Sequence, residues 1–303
     1  MKQIIAFFLV ISLYSCSSDE DNSKQNPQNL NFTQLFSITA DTLDLDMIGN
    51  SSENSLYLTY STDNGFNENV LKYNLTTQTP LTITHPDDTE SRQIENIGNW
   101  IYSISKNDVY RYDLDLDNVS IFNEGNTGLE YHKTITVNND ILSQRGKNLE
   151  FKYNTTANDY TLPDWQETQY RFKADCELFS NKIYSFGGTE FNTAYNTINI
   201  HNLTDNSWTQ ETLPFNAFET FTDIYNNAII IAGNKNLNSG NAFIGTYDPV
   251  TNNYTSIPVS LDLSSISIRS ITVLNNELYI AYTDIVTPLP SSLTIKIAKA
   301  TLP

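Results

Sequence analysis

Residues 180–208 read SNKIYSFGGTEFNTAYNTINIHNLTDNSW. Asn181 marks a tight turn, because Asn tolerates left-handed backbone at little cost. An apolar run follows from Ile183 to Phe186 and ends in the pair Gly187-Gly188. An alternating segment then carries Ile198, Ile200 and His201 toward Trp208. The fold turns on whether this stretch is a single hairpin or one copy of a unit.

It is one copy. An Asn turn followed by an apolar strand recurs at Asn54, Asn99, Asn139, Asn181, Asn227 and Asn276, at spacings of 45, 40, 42, 46 and 49 residues. A second landmark follows each of the first five: Lys72-Tyr73-Asn74, Arg111-Tyr112-Asp113, Lys152-Tyr153-Asn154, Ile200-His201-Asn202 and Thr246-Tyr247-Asp248. In the sixth copy Lys296-Ile297-Ala298 keeps the strand alone. A third landmark is an aromatic seven residues after the second: Tyr160, Trp208 and Tyr254. Periods of this length signal a repeat architecture.

Composition agrees with a β protein. Asn, Thr, Ser and Tyr are abundant, charged residues make up only 17%, and no stretch of ten residues shows helical periodicity. Each unit supplies four short alternating strands. One such sheet cannot bury both faces alone. Six packed around an axis make a continuous core. The expected fold is all-β, a six-bladed β-propeller over residues 31–303. Its blades span about 41–85, 86–124, 125–164, 165–213, 214–260 and 261–303. The last unit lacks an outer strand, and residues 31–37 resemble the outer strands of other units. The N-terminal strand is therefore expected to complete the last blade. The Gly187-Gly188 pair, the Tyr-like position at His201 and Trp208 resemble the kelch repeat, so the propeller is expected to be kelch-like.

The start of the chain has a different logic. Met1-Lys2-Gln3 is charged, and Ile4 to Tyr14 is apolar but too short to span a bilayer. Residues 1–15 read as a signal peptide. Leu13-Tyr14-Ser15-Cys16 resembles the lipobox of bacterial lipoproteins, which implies that Cys16 carries the lipid and that acyl chains anchor the protein to a membrane. Ser17-Ser18-Asp19-Glu20-Asp21 resembles the acidic tag of Bacteroidetes lipoproteins, which implies the outer membrane and the cell surface. Residues 16–30 read as lipidated Cys and flexible tether. With Cys16 lipidated only Cys176 remains, so no internal disulfide is expected.

Formal net charge is −18, from 17 basic and 35 acidic residues. Such a chain repels phosphate backbones, so nucleic acid is not an expected partner. In the propeller, the tight Asn turns mark the bottom face and the longer, more varied connections mark the top. Variable loops on a rigid scaffold are where binding sites sit.

Four of the five arginines, Arg92, Arg145, Arg171 and Arg269, map to that top face, together with His132. Arg forks bind carboxylates and sulfates in pairs of hydrogen bonds. Trp165, Phe191 and Tyr195, with Tyr131 and Tyr170, supply rings that stack on sugars. These residues form the expected ligand site, for a glycan or a protein partner.

Asp113-Leu114-Asp115-Leu116-Asp117-Asn118 with Glu124 has EF-hand spacing. The repeat register instead makes it an acidic hairpin turn, and Asp41, Asp44 and Asp46 read as solvated strand positions. The histidines His85, His132 and His201 have no metal-site spacing, and no catalytic nucleophile motif is present in the sequence. No metal or cofactor is expected. The leading expectation is a non-catalytic binding lipoprotein of the cell envelope. A carbohydrate-active enzyme like the sialic acid mutarotases, using Arg92, Glu130, Arg171 and Glu219, and a protein docking platform are the alternatives.

Overall fold

The computed structural model describes residues 29–42, 44–62, 67–85, 93–105, 108–124, 133–145, 148–161, 171–236, 241–285 and 292–303. Strand β1 (Thr33–Ala40) comes first. Blade one is β2 (Leu45–Asn50), β3 (Ser55–Thr62), β4 (Asn67–Asn74) and β5 (Thr79–Thr84). Blade two is β6 (Gln93–Ile97), β7 (Trp100–Ile104), β8 (Asp108–Asp113) and β9 (Val119–Glu124). Blade three is β10 (Ile135–Val137), β11 (Asp140–Arg145), β12 (Asn148–Asn154) and β13 (Asp159–Thr161). Blade four is β14 (Asp175–Phe179), β15 (Lys182–Phe186), the two-residue β16 (Thr189–Glu190), β17 (Thr193–Asn202) and β18 (Ser207–Ala217). Blade five is β19 (Glu219–Tyr225), β20 (Ala228–Asn234), β21 (Ala242–Asp248) and β22 (Asn253–Ser256). Blade six is β23 (Ile266–Leu274), β24 (Glu277–Asp284) and β25 (Leu293–Thr301).

The six sheets are antiparallel and form a six-bladed β-propeller. Each innermost strand lies against the innermost strand of the next blade, and β23 lies against β2. The ring is closed by β1, which pairs with β25 from Thr33↔Lys299 to Ala40↔Leu293. Leu30, which the sequence places in the tether, is only 1% exposed and bridges Val259. The folded body therefore begins earlier than residue 31. No helix among the described residues is long and apolar enough to cross a membrane.

The turn signals have a physical basis. Ser180-Asn181, Asn226-Asn227 and Asn275-Asn276 are two-residue turns with positive φ at both positions. That geometry matches the twist of a hairpin and suits Asn. The second landmark starts a four-residue turn. The Oδ1 of Asn74, Asn154 and Asp248 accepts two backbone N–H bonds from that turn. The ring before it clasps the turn's end: Tyr153 donates to Asn158 Oδ1 at 2.8 Å and Tyr247 to Asn252 Oδ1 at 3.0 Å. In blade four His201 Nε2 does the same work on Asn206 at 2.6 Å, and its ring stacks on Trp208. The recurring Tyr-Asn pattern is thus a turn clasp.

Candidate functional site

The axis of the ring is lined by one strand from each blade. Counting back from the turn Asn, the position four residues earlier holds Glu95, Ile135, Glu177, Asp223 and Thr272. The position six residues earlier holds Gln93, Lys133, Asp175, Phe221 and Ser270. Blade one contributes Asp46 and Ile48. All of these except Phe221 line a cavity of about 240 Å³ on the axis.

Its acids tie blades together. Asp46 Oδ2 on β2 accepts the Ile94 N–H of β6 at 2.9 Å. Glu95 on β6 accepts the hydroxyl of Thr136 on β10 at 2.8 Å. Asp175 on β14 accepts the Thr222 N–H of β19 at 2.7 Å. Asp223 on β19 accepts the Val273 N–H of β23 at 2.6 Å and the Thr272 hydroxyl at 3.1 Å. Thr272 in turn accepts the Gly49 N–H of β2 at 3.0 Å. Glu177 bonds only within its own strand, accepting the Leu178 N–H at 2.9 Å.

Lys133 is the cation in this lining. Its Nζ sits 3.1 Å from Asp46 Oδ1 and 4.9 Å from the Phe221 ring centroid. Burial works against its charge, yet Asp46, Asp175 and Glu219 raise its pKa. Burial pushes Glu95 and Asp175 up to about 7. Glu177 is pushed well above the carboxylate range by burial and by the charges of Asp223 and Asp175. Burial also raises Asp223. Above the cavity, burial would raise Glu219, but Lys173, Arg269 and Lys133 hold it below its ordinary value. Its partners lie at 3.1 Å (Lys173) and 3.6 Å (Arg269).

The residues expected on the top face are distributed differently. Arg92, His132 and Trp165, with Tyr131, Tyr170 and Glu130, lie outside the described residues, as does Cys16. Arg145 ends β11, paired in register with Asn148. Arg171 is buried, bonds to Thr197 Oγ1 and lies 4.3 Å over the Tyr195 ring. Arg269 is buried in β23 at a register shift between Ile268 and Ser270. Arg171 and Arg269 thus meet different partners inside the protein.

Phe191 is the reverse case. It is 86% exposed, at φ 53°, in the two-residue turn between β16 and β17. The hairpin is braced beneath it. Tyr195 donates its hydroxyl to Glu190 at 2.7 Å, and Thr189 Oγ1 lies 3.1 Å from the Thr193 carbonyl. Arg171, Tyr195, Glu190 and Phe191 therefore run outward as one connected series.

The fold as a whole has a likeness among solved structures. The solved structure described as "Structure of YjhT" superposes with a TM-score of 0.64 at 12% identity, over 84% of this chain and 93% of that one. It supports the propeller fold. No protein-family model matches the sequence, and no curated protein matches it.

Asp46 corrects one expectation. It is no solvated strand position, since it bonds to Lys133 and to β6 inside the ring. The Asp113 turn is a hairpin turn in which Asp113 Oδ1 accepts the Asp117 N–H at 2.9 Å. Among the described residues no cluster of three His, Cys, Asp or Glu side chains is placed to hold a metal ion. The axial acids escaped a reading of single motifs, although the register carried part of their signal: Glu95, Glu177 and Asp223 stand four residues before the turn Asn, and Asp175 six.

Proposed function

We propose that the protein is a non-catalytic, lipid-anchored binding protein of the outer cell envelope, whose kelch-like propeller recognises a glycan on its top face. The observation that carries this reading is Phe191. A large apolar ring held in water on a strained backbone position costs about 1–2 kcal/mol, and such strain persists where the surrounding structure enforces it, commonly at ligand clamps. An aromatic ring stacks on the apolar face of a sugar, and the Arg171–Tyr195 pair behind it supplies rigidity. Arg92, His132, Arg145 and Trp165 are the further top-face residues proposed to shape the site. Binding of residues 29–303 to a glycan array tests the reading. A protein partner in place of a glycan would make the propeller a docking platform.

A second reading has one observation in its favour. The axial cavity holds Glu95 and Asp175, whose carboxyls burial pushes up to about 7, the range suited to general acid–base work. That favours a carbohydrate-active, mutarotase-like enzyme. NMR of anomeric exchange in sialic acid or galactose, with and without protein, tests it.

The lipid anchor rests on Leu13 to Cys16. Labelling cells with an alkyne fatty acid should tag the wild type and leave Cys16→Ala untagged.

A further inference from the structure

The axial cavity holds more negative charge than its cation can answer. Five carboxyls, Asp46, Glu95, Asp175, Glu177 and Asp223, converge on one space with Lys133. Lys133 is committed to Asp46 at 3.1 Å. Four acids then remain, and three of them are fixed by bonds that cross to the next blade. Glu177 has no such crossing bond; its one bond lies within its own strand.

Other charges around Glu177 do not alter this balance. From β19 it meets Asp223, and Glu219 stands higher up, already paired with Lys173 and Arg269. From β6 and β2 come Glu95 and Asp46, and from the segment just before β10 comes Lys133. On β15 its register partner is Tyr184. On β11, Asp140 is paired with Lys152 at 2.8 Å. Carboxylates that share one poorly solvated site cannot all be ionised together.

We propose that the axial cavity is a proton-holding latch, in which Glu177 is a neutral carboxylic acid at neutral pH and the propeller tightens as the medium is acidified. Glu177 keeps its proton between Asp175 and Asp223, and the acids that cross between blades are thereby spared mutual repulsion. On losing that proton the cavity gains another buried negative charge, which strains the bonds from β14 to β19 and from β19 to β23.

The sign follows from linkage. Glu95, Asp175, Glu177 and Asp223 are all raised in the folded chain. The folded state therefore binds more protons than the unfolded state from the ordinary carboxylate range up to about 7 and beyond. Stability must fall as pH rises through that window.

The test uses residues 29–303 and Glu177→Gln, a neutral side chain of the same shape. Calorimetric unfolding at pH 7 in buffers of different ionisation heat reads the protons released. The wild type is expected to release on the order of one to two protons per chain, and Glu177→Gln about one fewer. The melting temperature of the wild type should drop between pH 5.5 and pH 8.5, and the variant's should drop less. A wild type that releases no protons overturns the proposal without reference to any variant. So does a folded Glu177→Gln that releases as many protons as the wild type, or that loses as much melting temperature between the two pH values.

Discussion

Lys133 on blade three reaches Asp46 on blade one at 3.1 Å, across the axis of the ring. Asp46 also holds β6 through the Ile94 N–H. One side-chain pair thus connects three consecutive blades. Both side chains are 13% exposed, so water screens the pair poorly. Removing one partner of a buried pair leaves an uncompensated charge, at a cost of about 3–5 kcal/mol. Lys133→Met should therefore destabilise the domain by roughly that amount in urea unfolding. The double variant with Asp46→Asn should be less damaged than Lys133→Met alone. Equal stability of Lys133→Met and the wild type would rule the pair out as a structural element.

Ring closure makes a second prediction. β1 is the outer strand of blade six, and Leu30 is buried against Val259. A chain beginning at residue 29 should melt as the longer chain does. A chain beginning at residue 41 should lose cooperative unfolding, since closure shares in the whole stability of about 5–15 kcal/mol expected for a domain. Matching melting curves for the two truncations would show that the ring does not need its N-terminal strand.

The turn clasp is testable one atom at a time. Asn252 holds φ 56° and accepts the Tyr247 hydroxyl at 3.0 Å. Asn252→Ala loses the bond and keeps the strained backbone, at about 2 kcal/mol. Asn252→Gly loses the bond but relieves the strain, and should be the less damaged of the two. His201→Tyr should fold, because Tyr fills the equivalent place in blades three and five. Circular-dichroism melts of the three variants check the order, and an Ala variant as stable as the Gly variant would refute the backbone part.

How much could be read beforehand differs by scale. The six-fold turn pattern and the strand that closes the ring were legible, because Asn turns and alternating strands are local signals. Gly188 owes its place to its backbone: φ is +87°, and a Cβ there would fall 2.7 Å from the Ala174 Cβ. Gly188→Ala should cost about 1–3 kcal/mol in thermal unfolding, and a neutral result would contradict the crowding. The axial acids were not legible singly. Asp46 or Glu177 in one strand looks like any solvated polar position. Their convergence exists only once six strands share an axis. The direction of Arg171 and Arg269 was also hidden, because it depends on Thr197, Tyr195 and Glu219, which are distant in sequence or come from another blade.

The central claim is that recognition occurs on the top face, at the hairpin that carries Phe191. The decisive measurement is glycan binding by residues 29–303 beside Phe191→Ala and Glu177→Gln. The wild type should retain one class of glycan, Phe191→Ala should lose about ten-fold or more in affinity, roughly 1.4 kcal/mol or more, and Glu177→Gln should bind as the wild type does. Wild-type protein that binds no glycan, or Phe191→Ala that binds as well as the wild type, would contradict the claim.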